Sequence, residues 1–154
     1  MKWVPQDIEM YMKSKEYVDT AVISLYPISF GDEMKQSASM FEFLSLLTNQ
    51  LERQFTGRLV LLPPFTYLKE GTLEQSIVKL SEWESSLKES GFKHIFYLTS
   101  DSDWKSHESS LGGSVIWMPS IPLENMEDSQ KISIVSSQVK QLLNLFTQKW
   151  RENE

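Results

Sequence analysis

Residues 59–68 read LVLLPPFTYL. An apolar run drives into Pro63-Pro64, and Phe65, Thr66 and Tyr67 follow. The run is near-continuously apolar, as a strand covered on both faces is. Proline has no backbone N–H to give a ladder and fixes its own φ. The pair therefore marks an abrupt strand end and a stiff exit loop.

On both sides of this stretch, strand-like and helix-like segments alternate. Upstream, TAVISLY (20–26) is a compact β-rich run ending at Pro27. Between the two runs, Met34, Ala38, Phe41, Leu44, Leu47, Leu51 and Phe55 recur at three- and four-residue steps, one apolar stripe of a long helix. Gly31-Asp32 supplies its start, with Asp32 as N-cap, and Gly57 sits where a left-handed C-terminal cap belongs. Downstream, Thr72 and Gln75 have capping-box spacing. Leu73, Ile77, Leu80 and Leu87 then give a second amphipathic helix, stopped by Gly91. The third strand is HIFYLTS (94–100), and a short segment over 103–110 follows. Gly112-Gly113 turns into the fourth strand, SVIWMPS (114–120). The last helix covers 128–150, with Ile132, Val135, Val139, Leu142, Phe146 and Trp150 on one face. A short helix over 5–13 precedes the first strand, with Pro5 in its first turn.

Strand–helix–strand repetition with long crossovers requires parallel pairing and right-handed connections. The expectation is one α/β domain over residues 1–154. It is a three-layer sandwich with a four-stranded parallel sheet in the flavodoxin-like order 2-1-3-4.

Composition narrows the function. The 154 residues include no cysteine, which excludes disulfides, thiolate metal sites and cysteine nucleophiles and fits a reducing cytoplasm. The net charge is −6 and the 15 basic residues are scattered, so nucleic acid and anionic membranes are poor partners. No run is long enough to cross a bilayer, and the first residues carry no signal-peptide pattern. A cytoplasmic protein without membrane insertion is expected.

Three of the four strands stop at proline on one side, at Pro27, Pro63 and Pro119. Parallel strands share their C-terminal edge, and open α/β sheets bind ligands there. The loops meeting at that edge offer Tyr26, Phe30, Phe65, Tyr67 and Trp104 as aromatic walls. Ser29, Thr66, Thr99, Ser100, Asp101, Asp103 and Ser120 add polar groups. Such a surface suits a small polar ligand or a protein partner anchored on aromatics.

Individual motifs are weak. Asp101 and Asp103 form a D-x-D that can hold a divalent cation through oxygen; the plainer reading is that one caps a following helix while the other is solvated. Ser102 to Lys105 matches S-x-x-K without the companion motifs of that hydrolase chemistry. His94 falls on the opposite edge, and His107 lies in the short segment. Gly112-Gly113 precedes a strand and reads as a turn. Dinucleotide and P-loop signatures are missing. No cofactor, metal or catalytic residue is assigned.

The stretches KEYVDTAVISLYPI (15–28), LERQFTGRLVLLPPFTYLKEG (51–71), HIFYLTSDSDW (94–104) and WMPSIPLENM (117–126) resemble, in the same order, the YpiF-like proteins of Bacillus-type bacteria. The resemblance runs over nearly the whole chain. It implies a Gram-positive cytosolic protein and carries over no catalytic residues. Similar proteins tend to be encoded near the menaquinol–cytochrome c reductase, which implies a respiratory context.

The preferred expectation is a non-enzymatic interaction module that holds a protein partner at the C-terminal edge, in respiratory-complex assembly or regulation. The alternative is a small polar ligand or substrate site at the same edge. Homo-oligomerisation through the last helix is the plainest reading.

Overall fold

The computed structural model describes residues 1–153. In chain order the elements are α1 (Pro5–Lys13), β1 (Thr20–Ile28), α2 (Met34–Gln54), β2 (Leu59–Leu61), β3 (Phe65–Leu68), α3 (Glu74–Glu89), β4 (His94–Thr99), a 3-10 helix (Ser102–Ser110), β5 (Ser114–Trp117) and α4 (Asp128–Glu152). The sheet runs β2-β1-β4-β5, and β3 joins the same edge of β1 beyond β2. Every pairing is parallel. The crossover order is the one the strand–helix alternation predicts.

Successive residues of β1 face opposite layers, as the two-residue period of a strand requires. Val22 and Tyr26 pack with Phe43, Leu44, Leu47 and Leu51 of α2 and with Val135, Val139, Leu142 and Phe146 of α4. Ala21, Ile23 and Leu25 pack on the other face with Leu80, Phe92, Tyr97 and Trp104. Ile8 and Tyr11 of α1 and Ile77 and Leu87 of α3 border that second core. The result is a three-layer α/β sandwich.

The sheet has five strands, one more than expected. Pro63-Pro64 interrupts a strand that then resumes as β3. Leu61 is in register with Val22, and Phe65 with Leu25. Three steps along β1 are thus matched by four along the proline-bearing strand, which makes the diproline a bulge. Both prolines are exposed and lie where no further strand pairs outside them. Their missing N–H groups therefore leave no ladder bond unmade.

The extra residue resets the alternation. Leu62 faces the α1–α3 core, and without the bulge residues 64 and 66 would follow it there. Instead Phe65 and Tyr67 do.

Pro27 does not end β1 either; it is paired within it, opposite Tyr67. The Ile28 carbonyl accepts from Lys69 N–H on the β3 side. The Pro27 carbonyl accepts instead from Ser37 Oγ at 2.8 Å. Its lacking N–H thus faces the side where β4 pairing has already stopped at Leu25–Thr99.

Three helix-end expectations change. The N-cap of α2 is Glu33, not Asp32, and no side chain caps it. Gly57 is not left-handed; Gly91 is the glycine with positive φ, at 101°. There it closes α3, its N–H bonding the Lys88 carbonyl at 3.0 Å. The Thr72–Gln75 capping box does not form, because α3 begins after Leu73 without a side-chain cap. The helix faces hold, except that Met34, Ala38, Phe41 and Ile132 are exposed.

Candidate functional site

At the C-terminal edge, β1 runs past the end of β4 and leaves a step. The step is a cleft of about 260 Å³ between the end of β1, the first turns of α2 and the start of the 3-10 helix. Pro27 and Ser29 form one wall, and Glu33, Gln36, Ser37 and Met40 of α2 form another. Ser100, Asp101 and Ser102 close the third side, with Lys69 reaching in from the end of β3. Ser37 fixes the wall it shares with β1. Its hydroxyl donates to Pro27 O and accepts from Ser29 N–H at 3.3 Å.

Asp101 is the electrostatic centre, and it is only 3% exposed. Tyr67 donates its phenol O–H to Oδ2 at 2.6 Å. The Lys69 ammonium donates to Oδ1 at 2.8 Å and to Asp103 Oδ2 at 2.8 Å. Asp103 N–H also donates to Oδ1, so Asp101 caps the 3-10 helix. The Asp101 N–H in turn bonds Thr99 Oγ1, whose hydroxyl donates to the Leu25 carbonyl. Trp104 completes the shell, its indole N–H donating to Tyr67 Oη at 2.8 Å.

Burial alone would raise the Asp101 carboxyl, but the bonds from Lys69, Tyr67 and Asp103 N–H and the Lys69 charge outweigh it. Its pKa lies below the ordinary carboxylate value. The Lys69 amine is pulled down by partial burial but pushed further up by its two carboxylates. Burial first, then the ionised Asp101, drives the Tyr67 phenol well above its ordinary value. The cluster is thus a charged, fully donated carboxylate clamped between two strands.

Ser100 is different. It is 8% exposed and lines the cleft, and its hydroxyl oxygen is buried without a hydrogen-bond partner among the described residues.

The residues expected at this edge separate into distinct places. Ser29 and Asp101 line the cleft, and Tyr67 and Asp103 hold the lysine and carboxylate that shape it. Thr66 is exposed on β3, and Ser120 lies beyond β5; neither lines the cleft. The aromatic walls are a correction. Tyr26 is buried against Phe41, with its hydroxyl 3.4 Å from Ser45 Oγ. Phe65 packs edge-on to Trp83, and Trp104 is fully buried. Phe30 alone of the five is strongly exposed.

Lys69, Glu33, Gln36, Ser37 and Met40 were not singled out from sequence. The α2 residues have a positional signal: the helix following a strand starts at the ligand edge of an open sheet. Lys69 had none, since its partners lie 32 and 34 positions away.

The other motifs resolve as packing. Lys105 of the S-x-x-K lies over the Trp117 ring, 3.6 Å from its centroid. His94 Nε2 is 3.8 Å from Asp19 Oδ2 at the opposite edge. His107 is half-buried in the 3-10 helix and does not line the cleft. Among the described residues, no three His, Asp or Glu side chains are grouped to hold a metal ion.

The family model described as "Protein of unknown function (DUF2487)" matches residues 9–150. The chain belongs to this family. It is 37% identical over 150 residues to a relative described as the uncharacterized protein YpiF of Bacillus subtilis (strain 168). That match covers 97% of this chain and 98% of the relative. The resemblance read from the four sequence stretches is therefore a family relationship. No solved structure matches the chain. No helix among the described residues is long and apolar enough to cross a membrane.

Proposed function

We propose that this protein binds a small polar molecule in the cleft at the C-terminal edge of its sheet. The observation that carries the reading is Ser100. A buried hydroxyl without a hydrogen bond costs roughly 1–3 kcal/mol, and native proteins hold few such groups. This one belongs to a residue that lines a cleft whose other lining groups are mostly polar. A ligand polar group that Ser100 Oγ meets on turning about χ1 into the cleft accounts for both features. Ser29, Gln36 and Ser102 supply further polar contacts, and Pro27 and Met40 an apolar surface.

The reading is one of binding. Both oxygens of Asp101 already accept hydrogen bonds, and its neighbours hold it ionised. It therefore serves to position Lys69 and the 3-10 helix.

The interaction-module reading loses its anchors, because Phe65 and Trp104 are buried and the Tyr67 hydroxyl is committed to Asp101. Neither family description bears on a respiratory context.

The test is a thermal-shift panel of monosaccharides, amino alcohols and nucleosides on the wild type and on Gln36→Trp. Gln36 is an exposed helical residue at the cleft wall, so tryptophan there fills the cleft without entering the core. At least one compound should raise the wild-type melting temperature and leave that of the variant unchanged. No stabilisation by any compound, or equal stabilisation of both proteins, overturns the reading.

A further inference from the structure

The charge around the cleft restricts what it can hold. Glu33, Asp101 and Lys69 line it, and Asp103 touches the same lysine. Three carboxylates thus face one cation, and two of its three N–H groups are taken, donating to Asp101 and Asp103 at 2.8 Å each. A ligand phosphate or carboxylate could take only the third N–H, and it would bring its charge beside Glu33 into a cleft whose charged groups already sum to net negative. The first turn of α2 also lines the cleft, and helix N-termini ordinarily favour anions. Here Glu33 already sets a carboxylate at that position, with no ion-pair partner within 4.0 Å among the described residues. The remaining side chains offer hydroxyl and amide oxygens, which accept N–H and O–H donors.

Resting on the ligand-binding reading above, we propose that the ligand is a small hydroxylated amine carrying a net positive charge. Its ammonium is held by Glu33, and its hydroxyl groups by Ser100 and the serines beside it. The carboxylates are not the only evidence for a site, because Ser100, whose hydroxyl is buried and unpartnered, lines the same cleft independently of them.

A matched series tests the charge assignment: glucosamine, glucose and glucose 6-phosphate, followed by amide chemical-shift titration of the wild type and of Glu33→Gln. Glucosamine should bind at the cleft ~3-fold or more tightly than glucose, the range of a solvent-exposed ion pair. Added salt should narrow that margin, Glu33→Gln should abolish it, and glucose 6-phosphate should bind weakest. Equal affinities for glucosamine and glucose, or a preference for the phosphate, overturn the charge assignment and leave the ligand-binding reading standing. Absence of shifts at Ser29, Gln36 and Ser100 with all three sugars, together with a thermal-shift panel without a hit, contradicts both.

Discussion

Tyr67 and Asp101, 34 positions apart, meet in a 2.6 Å hydrogen bond in which the phenol donates to the carboxylate. The diproline bulge makes this contact possible. By adding one residue between Leu61 and Phe65, it turns Tyr67 towards the 3-10 helix that follows β4. The prolines that look like a strand terminator thus set the facing of the residues that build the cleft edge.

Deleting Pro64 should therefore reverse the facing of β3. Phe65 and Tyr67 would leave the α1–α3 core, at a cost of ~1.5–3 kcal/mol for Phe65 alone. Tyr67 would also lose its bond to Asp101. Urea denaturation should show the loss, and near-UV circular dichroism should show a changed Trp104 environment. A deletion variant as stable as wild type would refute the register argument.

Tyr67→Phe keeps the ring and removes the hydroxyl that donates to Asp101 and accepts from Trp104. It leaves the buried indole N–H short of a partner, so a loss of ~1–3 kcal/mol is expected in chemical denaturation.

Asp101→Asn should expose the linkage between this cluster and pH. The folded carboxyl titrates below its ordinary value of 3.8. Its stabilising contribution is therefore complete above that value and is lost as pH falls through the lower folded pKa. The stability difference between wild type and Asp101→Asn should be flat from neutral pH down to the ordinary carboxyl range and shrink below it. A difference that grows on acidification would contradict the sign.

Parallel pairing was legible in the sequence because near-continuous apolar runs such as Ala21–Leu25 mark strands covered on both faces, and long crossovers force them parallel; the order of the strands followed only from likeness to flavodoxin-like sheets. The resumption of the strand at Phe65–Leu68 was not legible, although Phe, Thr and Tyr are strand-favouring residues. Proline's missing N–H reads as termination unless the edge position of the strand is known. The cleft was half legible: the sheet edge, Ser29 and Asp101 follow from topology. That Phe65 and Trp104 point inward depends on the bulge and on the 3-10 helix, which no local periodicity encodes. Lys69 finds its carboxylates only through the fold.

At the opposite end of β4, Glu84 accepts from the N–H groups of Gly112 and Gly113 and from the Tyr97 hydroxyl. A Cβ at Gly113 would lie 2.7 Å from Tyr97 Cε2 and 2.8 Å from the Ile95 carbonyl oxygen. At Gly112 the nearest atom is the flexible Lys88 Nζ, at 3.2 Å. Gly113→Ala should cost ~1–3 kcal/mol and Gly112→Ala clearly less, measured side by side by thermal unfolding.

The amino group of Met1 lies 2.8 Å from Glu52 Oε1, with both side chains 5% exposed. It also donates to the Leu59 carbonyl at 2.8 Å, tying the first residue to β2. Glu52→Gln leaves a buried ammonium without its counter-charge, a change that typically costs ~3–5 kcal/mol. A variant within ~0.5 kcal/mol of wild type in urea would show that the pair is not formed in solution.

The most direct test of the cleft as a binding site is native mass spectrometry of the protein purified gently from its own cells, with Gln36→Trp prepared in parallel. The wild type should carry a small bound mass that is released on collisional activation and is missing from the variant. A wild type that carries no such mass and gains none from the sugar series and the compound panel, or a mass retained equally by Gln36→Trp, would contradict it.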